Sequence, residues 1–519
     1  MRGKLVWAKA VPGKPLGGRL TRLKSVAAVI PSVVILCFFI LGFTLFGFIL
    51  LGFVTVSGMA PSLAAPALAQ DTEPAEWRPL TLGLHTGPDP QRIAAYMPVA
   101  AALGAAVVPV DFAWERVQPA ADRFDWEDYD FAVRRTRTHG LTPIGVLLYP
   151  TALPLPQAGV VGQGWPAPVR GEWLHFVEQV VSRYAWAVSD WIVVRDEPDD
   201  VDPLLWASEA ADYARFVRET AAAIRRAQPG ARVRVAVSAV DLRWLEVFIR
   251  EGGLEGAAGL VLEVNRWPAP PEGLQVVVAD VRALAQQLGY SPELWVWRLG
   301  YPTHGGVSRT APHRTGVTGV QQAQYVVRGH VWLAQAGVDL ILWHELMDSG
   351  WEPDAADSNF GLLRRDGRLK PAADAYRTLS AELGGRTYGL PQPSLPLESD
   401  EVTVEALAML LAALRDKLGG SNGQQLLSSV AVHPFAAADG ESLVVVIWIA
   451  TNPPLDGPVA ALSLNDVAVP QGARLVARSW TGAPMEQLIV GPEPVYVEIV
   501  AVPVKKPQPG SPTLQVMME

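Results

Sequence analysis

The sequence predicts an α/β fold: a (β/α)8 TIM barrel followed by a small C-terminal β-sandwich domain and preceded by an N-terminal membrane-targeting segment. Three observations carry this reading. From Leu80 onward short apolar runs alternate with longer amphipathic stretches, the signature of strands that alternate with helices. The alternation completes eight cycles over about 305 residues, a length suited to a closed barrel. After Gly385 the texture changes to short apolar runs separated by Asn, Gly and Pro.

The chain opens on seven cations with no acid: Arg2, Lys4, Lys9, Lys14, Arg19, Arg22 and Lys24. The 46 residues from Ser25 to Gln70 then contain no Asp, Glu, Lys or Arg. A basic flank, an apolar run and the small-residue stretch Ala67-Leu-Ala-Gln70 read as an export signal. The run is also longer than the roughly 20 residues that span a bilayer, so residues 1–70 are either a cleaved signal peptide or a transmembrane anchor. Both place the remainder extracytoplasmically, secreted or anchored to the membrane, because the basic flank stays inside.

With its seven cations set aside, a formal net charge of −9 becomes −16 for the body. An acidic body lacks the basic footprint that phosphate backbones require, so no nucleic-acid partner is expected. The only cysteine is Cys37, which excludes disulfides and Cys-based zinc sites from the body. The eight histidines show no metal-ligand spacing, and no cofactor motif is present.

Eight strands are predicted at Leu80–Leu84, Ala106–Val110, Pro143–Leu148, Trp191–Val194, Val233–Val237, Gly259–Leu262, Leu294–Trp297 and Leu340–Trp343. Helical patterns follow at Arg92–Leu103, Trp126–His139, Glu172–Ala187, Ala207–Ala227, Leu242–Glu251, Val277–Leu288, Gly319–Ala336 and Pro371–Leu383. The barrel occupies 78–385, and Pro391, Pro393 and Pro396 mark a linker with a helix over 386–422. Strands at Leu443–Trp448, Ala473–Ala477 and Pro494–Ile499 build a β-sandwich over 423–504. The tail 505–519 is expected to be disordered.

Barrel sites are assembled at the C-terminal ends of the strands. Here those ends hold Asp111 and Trp114, Asp196 and Glu197, Glu263, Asn265 and Trp267, Trp297 and Arg298, then Trp343 and Glu345. Indole rings stack on sugar C–H faces, and carboxylates supply the acid and the nucleophile or base of glycosidic cleavage. Trp173, Trp186 and Trp332, on helices, are read as core.

Residues 80–385 resemble the retaining (β/α)8 glycoside hydrolases that include β-xylosidases, β-glucosidases and cellulases. The resemblance rests on Asp111-Phe-Ala-Trp114-Glu115 through Pro119, Phe124-Asp-Trp126 and Asp128, Asp196-Glu197-Pro198, and Phe360-Gly-Leu-Leu363 with Lys370-Pro371-Ala372. It implies carbohydrate as the partner, Glu197 as the acid/base, and Trp343 as the tryptophan after the eighth strand. Asp196, Asn265, Trp267, Trp297 and Arg298, with Trp114, are the substrate-binding candidates. The family's nucleophile glutamate after strand seven is replaced by Arg298 in Trp297-Arg298-Leu299-Gly300. A guanidinium stays protonated and cannot attack an anomeric carbon.

Three readings stay open. The first is a carbohydrate-acting or carbohydrate-binding protein whose retaining chemistry is lost, with Arg298 bridging Glu197 or Asp196. The second is an active O-glycosyl hydrolase with Glu197 as general acid and Glu345, Glu263 or Asp111 as base, in which Arg298 anchors a substrate carboxylate. The third is a non-catalytic glycan-binding surface protein.

Overall fold

The computed structural model describes residues 78–120, 123–149, 167–195, 206–239, 241–264, 266–312, 314–390, 398–418, 429–439, 441–450 and 457–502. The N-terminal apolar segment, Asp196, Glu197, Asn265 and the tail 505–519 lie outside these residues. Among the described residues no helix is long and apolar enough to cross a membrane.

Eight parallel strands close into a barrel in sequential order: β1 (Thr81–Leu84), β2 (Val107–Ala113), β3 (Thr142–Tyr149), β4 (Asp190–Arg195), β5 (Arg232–Ser238), β6 (Gly259–Glu263), β7 (Glu293–Leu299) and β8 (Leu340–Trp343). The helices after them are α1 (Pro90–Ala102), α2 (Glu127–Thr138), α3 (Ala167–Tyr184), α4 (Trp206–Ala227), α5 (Leu242–Arg250), α6 (Leu274–Gln287), α7 (Gly319–Gln335) and α8 (Pro371–Leu383). Their starts follow from local chemistry. Asp89 accepts the Gln91 N–H ahead of α1, Asp241 accepts the Trp244 N–H ahead of α5, and Thr318 with Gln321 forms a reciprocal cap on α7, each satisfying amides that a helix leaves open.

Alternation along each strand divides the side chains in two. Val107, Ile144, Val146, Ile192, Val194, Val261, Trp295, Trp297, Leu340 and Leu342 fill the barrel interior, whereas Leu82, Leu84, Val108, Val110 and Trp343 pack outward against the helices. At Gly83 a Cβ would lie 2.3 Å from Leu342 Cδ2 and 2.5 Å from Val107 Cγ2, so only glycine lets the β8–β1–β2 seam close. Beneath the interior cluster, Arg234 is buried, donates to Asp190 and Glu293, and stacks 3.5 Å from the Trp295 ring. Arg78 also donates to Glu293, and Arg232 donates to Asp190. This paired set fills the N-terminal end of the barrel.

The C-terminal part comprises β9 (Thr387–Tyr388), α9 (Glu398–Leu418), β10 (Val430–Ala436), β11 (Ser442–Ile449), β12 (Ala460–Ser463), β13 (Ala473–Ser479), β14 (Pro484–Met485), β15 (Gln487–Val490) and β16 (Val495–Ala501). An antiparallel six-stranded sheet runs β14-β13-β16-β11-β10-β9, beside a two-stranded ribbon of β12 and β15. Alternation again decides the faces. Val444, Val446, Trp448 and Tyr496 join the barrel core, while Leu443, Val445, Ile447 and Val497 pack with Ala406, Leu410 and Leu414 of α9 and Leu462 and Leu488 of the ribbon. The architecture is sandwich-like, but its outer layer is a helix plus a ribbon instead of a second full sheet. The first strand, β9, falls inside the stretch that the prolines suggested was linker.

Candidate functional site at the barrel mouth

The same alternation places His85, Asp111, Glu263 and His344 on the inward face just above the interior cluster, next to Trp297. Two of these were not evident from composition. His85 follows β1 in phase with Gly83, and His344 follows β8 in phase with Leu342. The inward position after β8 therefore belongs to His344. Trp343 is fully buried on the outer face, near Tyr301 and His330, so the expectation that it lines a sugar site is corrected: a shift of one residue turns a strand side chain to the opposite face. Trp114 is likewise core. It packs against Tyr149, Trp173 and Phe176 beneath α3 and donates its indole N–H to Gln118, which leaves no ring face for a ligand.

Trp297 and Trp267 are placed differently. Rings follow one another around the mouth: Trp297 to His85 at 6.3 Å, His85 to His344 at 5.3 Å, His344 to Phe360 at 5.2 Å and Phe360 to Trp267 at 5.9 Å. The indole nitrogens of Trp297 and Trp267 are buried without a hydrogen-bond partner among the described residues. Gly300 allows this crowding, because a Cβ there would meet the His344 carbonyl oxygen at 2.2 Å.

Charged groups share the rim. The Gly87 N–H donates to His85 Nδ1, so His85 Nε2–H donates to Asp111 Oδ2 at 3.1 Å. Burial, with the nearby Arg298 charge, holds His344 well below its ordinary value and keeps it neutral. Glu345 is buried with Oε1 unpartnered among the described residues, and burial pushes its carboxyl up to about 7 against the opposing pull of Arg92. Beyond the rim, Lys370 Nζ donates to Asp348, Thr303 and the Asn359 carbonyl, pinning the long connection from β8 to α8.

Arg298 departs from the strand. Its φ is 56°, a left-handed conformation that non-glycine residues rarely adopt and that recurs at functional sites. The β7–β8 register slips between Val296 and Leu299, so the chain bulges and redirects the side chain at this point. The guanidinium lies 4.8 Å from the Trp297 ring and 3.8 Å from Glu263. Glu263, in phase with Val261, thus faces the mouth and is the carboxylate that the described residues bring to Arg298. Asp196 and Glu197, the expected partners, and Asn265 fall outside them. With both side chains about one-third exposed, the Arg298–Glu263 attraction is worth at most about 1 kcal/mol. Among the described residues no group of His, Cys, Asp and Glu has the arrangement of a metal site.

The described residues thus form a closed eight-stranded parallel barrel with carboxylates, histidines and aromatic rings at its mouth. Two solved structures share it. A family 39 glycoside hydrolase from the gut symbiont Bacteroides cellulosilyticus WH2 superposes with a TM-score of 0.58 at 17% identity, covering 82% of this chain and 81% of that one. A glucosidase from Croceicoccus marinus gives 0.51 at 15% identity over 82% and 95%. The likeness is one of fold. Neither a protein-family model nor a curated protein sequence matches the chain.

Proposed function

We propose that this protein is an extracytoplasmic, glycoside-hydrolase-like carbohydrate-binding protein that holds a glycan at the barrel mouth and does not cleave it by the retaining route. The observation that carries this reading is Arg298: a permanently protonated side chain ends β7 where the resemblance puts the nucleophile, beside the indole of Trp297. A retaining mechanism needs two carboxylates about 5–5.5 Å apart, one of them attacking carbon. In serine proteases the loss of the nucleophile lowers turnover by about 10⁶. The aromatic rim supports sugar binding, and the basic flank followed by 46 uncharged residues supports export.

The test is a glycan array read beside a panel of aryl-glycosides. Sugar binding without turnover is the expected result. Hydrolysis abolished by Glu197→Gln would instead establish an active enzyme. Cell fractionation with protease protection tests the location.

One observation favours the second reading, an inverting or relocated hydrolase. A Glu345 carboxyl at about 7 is poised near neutral pH, where a general base is most effective. Activity that rises as pH rises through 7 and vanishes in Glu345→Gln would support it.

A further inference from the structure

The reading above leaves the kind of sugar open, and Arg298 narrows it. An arginine that merely sealed a disused site would be expected to spend its donors on protein acceptors, as buried polar groups do. Arg298 does not. Its Nε is buried with no hydrogen-bond partner among the described residues, and its contact with Glu263 is 3.8 Å, beyond hydrogen-bond range. The side chain remains about one-third exposed, so the guanidinium can be reached from the mouth.

Its surroundings are shaped for an anion. Trp297 lies beneath the guanidinium, and its indole N–H is a second buried donor without an acceptor among the described residues. His85 and His344 continue the wall from Trp297. Of the nearby acids, Asp111 already faces His85, and the Glu345 carboxyl is pushed up to about 7 by burial. Among the described residues Glu263 alone competes for Arg298, and it does so at long range. A planar guanidinium with free donors matches a carboxylate through two parallel N–H···O bonds.

We infer that the mouth selects acidic sugars: Arg298 binds the carboxylate of a uronic acid unit. This rests on the carbohydrate-binding reading and names its ligand class.

The experiment uses the exported chain and pairs of methyl glycosides that differ only at C6, glucuronide against glucoside and galacturonide against galactoside. Binding is followed by tryptophan fluorescence and calorimetry, with sodium acetate as a competitor. The expected result is a preference for one uronide over its neutral partner of about tenfold or more, weakening with salt. In Arg298→Gln the preference should fall to about one, with Arg298→Lys between, since lysine keeps the charge but not the fork. Equal binding of both members of each pair by the wild-type protein would overturn the inference and leave the carbohydrate-binding reading in place. So would a preference that survives in Arg298→Gln, or acetate competing as strongly as the uronide. Failure of every glycan on the array and of all four glycosides to bind would overturn the carbohydrate-binding reading itself.

Discussion

His85 Nε2 lies 3.1 Å from Asp111 Oδ2 and ties the end of β1 to the end of β2 at the barrel mouth. Both side chains are buried, and among the described residues Asp111 Oδ1 has no partner. His85→Ala would leave a buried carboxylate with neither oxygen satisfied, and is expected to cost about 3 kcal/mol. His85→Gln, which can still donate, should recover part of that loss. Urea unfolding of the two variants checks the order; equal midpoints would show that the contact carries no stability.

Glu345 gives a pH dependence whose sign follows from its raised value. The folded state holds the proton up to about 7, whereas the ordinary carboxyl releases it near 4.5. The folded state therefore binds more protons in between, and stability falls as pH rises from about 4.5 through 7 before levelling off. The full difference is roughly 3 kcal/mol. Glu345→Gln should flatten this part of the profile and gain on the wild type above pH 7. Thermal unfolding from pH 4 to 8 decides it, and parallel profiles would refute the assignment.

Lys370 and Asp348 form a buried pair at 2.6 Å, and Asp348 also accepts the Gly361 N–H. Burial lowers the lysine and raises the aspartate from their ordinary values. Removing one partner strands the other, so Lys370→Met should cost about 3–5 kcal/mol. Adding Asp348→Leu should restore much of it. A double-mutant cycle returning simple additivity would mean the two charges do not interact.

The two tryptophans at adjacent strand ends should separate stability from binding. Trp343→Ala empties a core position and is expected to cost about 3–5 kcal/mol. Trp297→Phe should instead weaken any glycan-induced fluorescence change and shift the melting temperature less. If the Trp343 variant lost ligand binding with its melting temperature intact, the placement of these two side chains would be reversed in function.

The barrel was legible because its signal is periodic. Each of the eight apolar runs became a strand, and Pro371–Leu383 matched its helix to the residue. The site was harder to read, because a motif gives neighbouring residues while the pleat decides which of them faces inward. Trp343 and His344 differ by one position and by which side of the barrel wall they occupy. His85 carried a readable signal all the same, since Leu82 and Leu84 fix the outward phase and leave it inward. No local pattern announced the left-handed backbone at Arg298, which depends on the register slip between β7 and β8. β9 was hidden for another reason: two residues cannot display a period, and the strand exists only because β10 pairs with it.

That small strand has a consequence for how the protein can be divided. Only a few residues separate it from α8, and the same stretch hydrogen-bonds to the start of the barrel through Leu80 N–H to the Arg386 carbonyl and Gly385 N–H to the Leu80 carbonyl. The inner face of the sheet also shares the barrel's core. A truncation after the eighth helix would expose Trp332 and strip the seam where the first strand enters. The barrel is therefore not a removable module, and the piece that could be exchanged between proteins as one cooperative folding unit spans 78–502.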